Sequence, residues 1–192
     1  MDNGDIDKMV DVKKQKIINA TGDVKNIMDF AKCYIEEEIE LDVLEVEHGS
    51  FGGVIIASGR TEVIEKLKIK VVTEENITNQ EKDIWPKLRH TNLVYLLDKE
   101  YLPLIHSYIL ISENHPLSLE EFQTSTVFTE NKDAYNLIRK LLLDVLNGIN
   151  YLHDKEISHL SITSKNIWIT EENTAVIGNF NTLNTVGIIP DE

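Results

Sequence analysis

Two stretches of the chain carry apolar residues at helical spacing. From Asn136 to Leu152, residues Leu137, Leu141, Leu142, Val145, Leu146, Ile149 and Leu152 follow an i, i+3, i+4 period. From Asp23 to Glu38, residues Val24, Ile27, Met28, Ala31 and Ile35 do the same, and Ile6–Ala20 reads as a preceding helix set apart by Thr21-Gly22. Between these stretches the pattern is that of strands. Leu41 to Val46 alternates apolar and acidic residues, Val54–Ala57 is apolar, and Ser58-Gly59-Arg60-Thr61 reads as a turn leading into Val63–Lys66. Ile69-Lys70-Val71-Val72 continues the apolar pattern, and Leu102 to Ile111 is an almost continuous apolar run. Ser118 offers an N-cap for a short helix at Leu119-Glu120-Glu121-Phe122. Two brief apolar runs, Ile167-Trp168-Ile169 and Ala175-Val176-Ile177-Gly178, follow the long helical stretch.

Composition narrows the function classes. The 192 residues are 42% hydrophobic, enough for one substantial core spread over two sublobes. A net charge of −14 argues against general nucleic-acid or anionic-membrane binding. No apolar stretch reaches the roughly eighteen residues a membrane span needs, and the polar, acidic start is not a signal peptide, so a cytoplasmic location is expected. Cys33 is the only cysteine, which excludes an internal disulfide framework. The six histidines show no zinc-type spacing, Glu36-Glu37-Glu38 reads as solvent-facing, and no metal site is expected.

The candidate chemistry lies in His159-Leu160-Ser161-Ile162-Thr163-Ser164-Lys165-Asn166 and, thirteen residues after Asn166, in Asn179-Phe180-Asn181. The order and spacing resemble the H-R-D-L-x-x-x-N catalytic loop and D-F-G motif of protein kinases. Tyr151-Leu152-His153 resembles the exit of the long kinase helix before that loop. Glu47-His48-Gly49-Ser50-Phe51-Gly52-Gly53-Val54 is similar to a kinase glycine-rich loop whose first glycine is replaced by Glu47, a negative charge where polyphosphate would lie. Glu81 to Val94 resembles the kinase run E-x-x-x-L-x-x-L-x-H-P-N-I-V, with Pro86 set to kink or shorten its helix.

The resemblance implies an α+β, protein-kinase-like fold: a five-stranded N-lobe with one helix over 41–111, an incomplete and mainly helical C-lobe over 112–192, and a helical extension over 1–40. The extension's second helix is suited to packing on the N-lobe, with docking to a partner as the alternative. By the same resemblance, Gly49, Gly52, Val54, Lys66, Glu81 and Asn166 are the nucleotide-binding candidates, and Tyr108 and Ile109 fall near the adenine edge. Lys66 is the first choice for the strand lysine. Strand alternation puts Lys66, Lys68 and Lys70 on one face, which leaves Lys70 a competitor.

Both chemical aspartates of the family are replaced, by Ser161 and Asn179. Serine is a poor base at neutral pH and asparagine a weaker magnesium ligand than carboxylate, and loss of a positioned base alone costs about 10²–10⁴ in rate. The expectation is a pseudokinase with no catalytic residue and no required cofactor. ATP binding is left open, and magnesium is disfavoured. Its role would be that of a regulatory or decoy module for a signalling kinase or adaptor. A weak, atypical kinase and a fragment of a longer kinase-family protein are the alternatives, because the chain ends twelve residues after Phe180, before an A-P-E segment. Ile162-Thr163-Ser164-Lys165-Asn166 leans toward the tyrosine-kinase-like group, which includes the mixed-lineage kinase domain-like and receptor-interacting kinases. A long helix without the later C-lobe helices is expected to leave apolar surface uncovered.

Overall fold

A computed structural model describes residues 24–50, 52–59, 66–130 and 132–185. The expectations for Ile6–Ala20, Thr21-Gly22, Phe51, Arg60–Glu65 and the final residues lie outside them. The chain divides into two compact units, one of residues 1–77 and 97–114, the other of residues 78–96 and 115–192.

The first unit is a helix on a sheet. Helix α1 (Val24–Glu37) precedes strands β1 (Leu41–Gly49), β2 (Gly52–Gly59) and β3 (Leu67–Thr73), with β4 (Leu96–Leu102) and β5 (Ser107–Glu113) completing five strands in the order β1-β2-β3-β5-β4. Period-two alternation gives the sheet two distinct faces. Ile55 and Ala57 of β2, Ile69 and Val71 of β3, and Ile109 and Ile111 of β5 are buried together with Met28, Phe30, Ala31 and Ile35 of α1. The helical stripe at 27, 28, 31 and 35 therefore packs on the sheet, as one of the two expectations for the extension had it. Gly52 is required where β1 turns into β2: its φ is +139°, and a Cβ there would stand 2.0 Å from the Val71 carbonyl oxygen.

Strand β3 starts later than its sequence suggested. Ser58 and Gly59 still belong to β2, Lys66 lies just before β3, and the strand is built on Lys68 to Val72.

The second unit is built around α4 (Ala134–Asp154). A π turn at Gln80–Ile84 passes into a 3-10 turn at Trp85–Lys87, the shortening expected from Pro86, whose missing N–H falls at the first turn of the 3-10 segment. Strands β6 (Leu117–Ser118), β8 (Ile167–Ile169) and β9 (Ala175–Ile177) form one small sheet, and β7 (Ile157–Ser158) pairs with β10 (Asn184–Thr185) in another. Two short helices, α2 (Leu119–Phe122) and α3 (Thr126–Thr129), lead into α4. Ser118 caps α2 in a full capping box: its hydroxyl accepts from the Glu121 N–H, and the Glu121 carboxylate accepts from the Ser118 N–H at 2.9 Å. The Ser118 hydroxyl, which donates to the same carboxylate at 2.7 Å, and then the Ser118 N–H hold the Glu121 carboxyl below its ordinary range.

The core of this unit joins Phe122, Leu141, Ile167, Ile169 and Ala175. Gly148 lets α4 approach the preceding loop, since a Cβ there would lie 2.8 Å from the Asn92 carbonyl oxygen. Only one side of α4 is covered. Leu141 and Leu152 are buried, whereas Tyr135, Ile138, Leu142, Leu143 and Leu146 remain exposed, Leu146 at 59%. Among the described residues no helix is long and apolar enough to cross a membrane.

Candidate functional site

In the second unit the residues between β7 and β8 turn back on themselves around His159. The His159 ring is buried; its Nε2–H donates to the Gly178 carbonyl at 3.0 Å and its Nδ1 accepts the Ser161 N–H at 3.3 Å. This is the neutral tautomer with the proton on Nε2. Burial pushes the imidazole pKa down, partly offset by the bond to Gly178. The Thr182 hydroxyl donates to the His159 carbonyl at 2.8 Å and anchors the residues after Asn179-Phe180.

Behind this loop stands a column of rings. The Phe180 ring, 1% exposed, lies 5.5 Å from the Trp85 ring and 5.6 Å edge-on from the His159 ring. Trp85 is fixed in turn by its indole N–H, which donates to the Val94 carbonyl at 3.0 Å. Sequence reasoning assigned no role to Trp85. The signal was present, because an indole four residues after Glu81 and directly before Pro86 needs both an apolar neighbour and an acceptor.

The polar positions beside the column are drawn together without charge. The Asn166 amide Nδ2 donates to the Ser161 carbonyl at 2.9 Å and to the Ser161 hydroxyl at 3.0 Å. The Asn166 Oδ1 accepts from the Asn179 amide at 3.1 Å. Asn179 sits in the left-handed region at φ 64°, which asparagine tolerates better than most residues, so it meets the backbone demand of its position while bringing no carboxylate. Leu160 has a similar φ of 60° with its side chain exposed, a conformation that costs a leucine about 1–2 kcal/mol.

The loop thus offers a serine, two amides and a neutral imidazole. A magnesium ion does not fit that donor set. Its hard-cation chemistry calls for carboxylate oxygen, and the Asn166 oxygen already accepts from Asn179. Glu171 and Glu172 are exposed in the turn between β8 and β9. Among the described residues no group of three or more His, Cys, Asp or Glu side chains is placed to hold a metal.

The remaining sequence candidates are split between the units. Gly49, Gly52, Val54 and the lysines belong to the first, Glu81 and Asn166 to the second. In the first, Gly49 pairs with Gly52 at the β1–β2 turn, so this hairpin is closed by its own backbone. Val54 faces Lys70 across β2 and β3, and Lys68 lies between Ile56 of β2 and Ser112 of β5. Lys66 is exposed outside β3, and its carbonyl accepts from the Asn114 N–H at 3.1 Å. Lys68 is the lysine whose environment is altered: burial pushes its pKa down, with nearby Glu47 acting in the opposite sense and Lys70 in the same sense. The acid that replaces the first loop glycine therefore acts electrostatically on Lys68. Tyr108 is buried with its ring 4.8 Å from Tyr101, and Ile109 enters the core under α1, on the face opposite the β3 lysines.

In the second unit Glu81 is buried, and its carboxylate accepts from the Thr78 hydroxyl at 3.1 Å and the Thr78 N–H at 3.4 Å. The Thr78 hydroxyl in turn accepts from the Glu81 N–H at 3.2 Å, so the two residues bond reciprocally at the start of the π turn.

Comparison with known families and proteins agrees with this architecture. The protein kinase domain family matches residues 44–186, and the chain belongs to that family. The probable inactive serine/threonine-protein kinase samkD of Dictyostelium discoideum is 30% identical over 125 residues, covering 62% of this chain and 22% of that protein. The mitosis inhibitor protein kinase wee1 of Schizosaccharomyces pombe is 31% identical over 121 residues, 61% of this chain and 14% of wee1. The serine/threonine-protein kinase polo of Drosophila melanogaster is 27% identical over 155 residues, 79% of this chain and 23% of polo. The chain thus spans less than a quarter of each of these relatives. Helix α1 lies outside the matched residues.

Proposed function

We propose that this kinase-family domain transfers no phosphate and acts as a regulatory or decoy binding module toward a signalling kinase or its adaptor. The observation that carries the reading is the Ser161–Asn166–Asn179 cluster. Each amide is engaged in holding the loop, and among the described residues no carboxylate stands where proton abstraction or metal binding would require one. The aromatic column beside it is fully packed, so the domain keeps its shape while its chemical groups are neutral. That combination suits recognition through the fold surface. The likeness of residues 162–166 to the tyrosine-kinase-like group is a finer assignment, and the relatives named above do not bear on it.

The test is phosphate incorporation from labelled ATP, with magnesium or manganese, into the chain itself and into a general protein substrate. The expected result is no incorporation beyond that of the Ser161→Ala/Asn179→Ala double variant. Incorporation that the double variant abolishes would favour the weak-kinase reading. Adding the chain in excess to an active serine/threonine kinase domain addresses the other half, and a changed rate of that kinase is the expected outcome.

A further inference from the structure

In the first unit, α1 and the β4–β5 connection enclose an open hollow of about 160 Å³ lined by Phe30, Tyr34, Glu100, Tyr101, Leu102, Pro103 and Leu104. Phe30 and Leu102 form its buried wall, while Leu104, 55% exposed, forms its rim. A cavity of about 150 Å³ holds a group the size of benzene, and a lysine side chain is of that order. One charged side chain reaches this apolar hollow. The Tyr34 hydroxyl donates to Oε1 of Glu100, and the other carboxylate oxygen has no partner among the described residues. Lys99 is the neighbouring cation in sequence, but strand alternation places it on the opposite face of β4.

Two further carboxylates, Glu38 and Glu74, act on the tyrosines that line it. Glu38 adds negative charge at Tyr34, whose hydroxyl pKa is pushed up to about 12, chiefly by its bond to Glu100. Next to the hollow, the Tyr101 hydroxyl donates to Glu74 at 2.6 Å. An apolar stem of a few methylenes ending in a cation matches this arrangement, the stem lying along Phe30 and Leu104 and the head meeting the open Glu100 oxygen. Two of its lining residues, Phe30 and Tyr34, come from α1, which lies outside the residues matched to the kinase family.

We infer that the hollow between α1 and the β4–β5 connection is a docking pocket for a lysine or arginine side chain presented by a basic segment of a partner polypeptide. It does not depend on the nucleotide region or on the absence of phosphate transfer.

Backbone amide chemical shifts of residues 30–34 and 100–104 in the full chain, titrated separately with n-butylammonium, 1-pentanol and the peptide acetyl-Gly-Leu-Lys-Leu-Gly-amide, test it. The ammonium and the peptide are expected to move these amides saturably, and pentanol to bind at least about tenfold more weakly, the value of a charged hydrogen-bond partner. Glu100→Gln should remove the distinction between ammonium and pentanol. Leu104→Ser, at the exposed rim, should weaken the peptide severalfold with an unchanged unfolding midpoint. Absence of shifts, or an ammonium response unaltered in folded Glu100→Gln, would overturn the site. Equal affinity for the peptide and the free amine would overturn the assignment to a polypeptide.

Discussion

The aromatic column and the amide cluster of the second unit lie side by side and have fared differently. Trp85, Phe180 and His159 keep buried rings at 5.5 and 5.6 Å with their polar atoms satisfied. Ser161, Asn166 and Asn179 keep a connected hydrogen-bond set but no ionisable group. Packing in a core is cooperative, and the loss of one ring is felt by the whole unit. The charge on a metal-binding loop serves chemistry and is costly to hold in place, so neutral groups there need not weaken the fold. The lesson is that a kinase-family fold and kinase chemistry rest on adjacent residues with separable demands.

That separation is broken most strongly at Phe180. Phe180→Ala should cost about 3–5 kcal/mol and lower the midpoint of chemical unfolding accordingly. A loss below about 1 kcal/mol would mean the column is not what holds this unit. Next in size is Gly148→Ala, where the added methyl meets the Asn92 carbonyl oxygen; about 1–3 kcal/mol of overpacking should appear in the same measurement. On the other side of the comparison, Ser161→Ala removes one acceptor of the Asn166 amide and should cost about 0.5–1.5 kcal/mol. If Ser161→Ala proved as damaging as Phe180→Ala, the two regions would not be separable.

The smallest effect concerns pH. His159 has a folded-state pKa below its unfolded value because of burial, so the unfolded chain binds the proton more readily. Stability from this residue is complete above the unfolded value near 6.5 and is lost as pH falls from there toward the lowered folded value. Urea midpoints from pH 7.5 to 5 should therefore decline more steeply in the wild type than in His159→Asn. Parallel curves would assign the decline to other groups.

Much of this was legible in the sequence, where period and cap signals are strong. Helix α1, helix α4, the Ser118 cap and the shortening at Pro86 all followed from spacing and residue type. The start of β3 did not, since Lys66, Lys68 and Lys70 fit one alternating strand pattern and hydrogen-bond register decides where pairing begins, at Leu67. In consequence Lys66 was placed on a strand it precedes, and Lys68, with the altered environment, was passed over. The positions of Ser161, Asn166 and Asn179 were legible from motif spacing, but not the chain of amides that ties them together. Asparagine contacts depend on tertiary approach and leave no period in the sequence. The uncovered side of α4 was foreseen, and its exposed leucines are where that expectation now rests.

The most direct test of the central claim is a thermal-shift titration of the chain with ATP, with and without magnesium, beside Asn179→Asp and Asn179→Ala. A ligand of the native state raises the midpoint as its concentration exceeds its dissociation constant. Magnesium should make no difference to the wild type, whatever ATP alone does, and Asn179→Asp should acquire a magnesium-dependent rise. A magnesium-dependent rise in the wild type, abolished by Asn179→Ala, would contradict that claim.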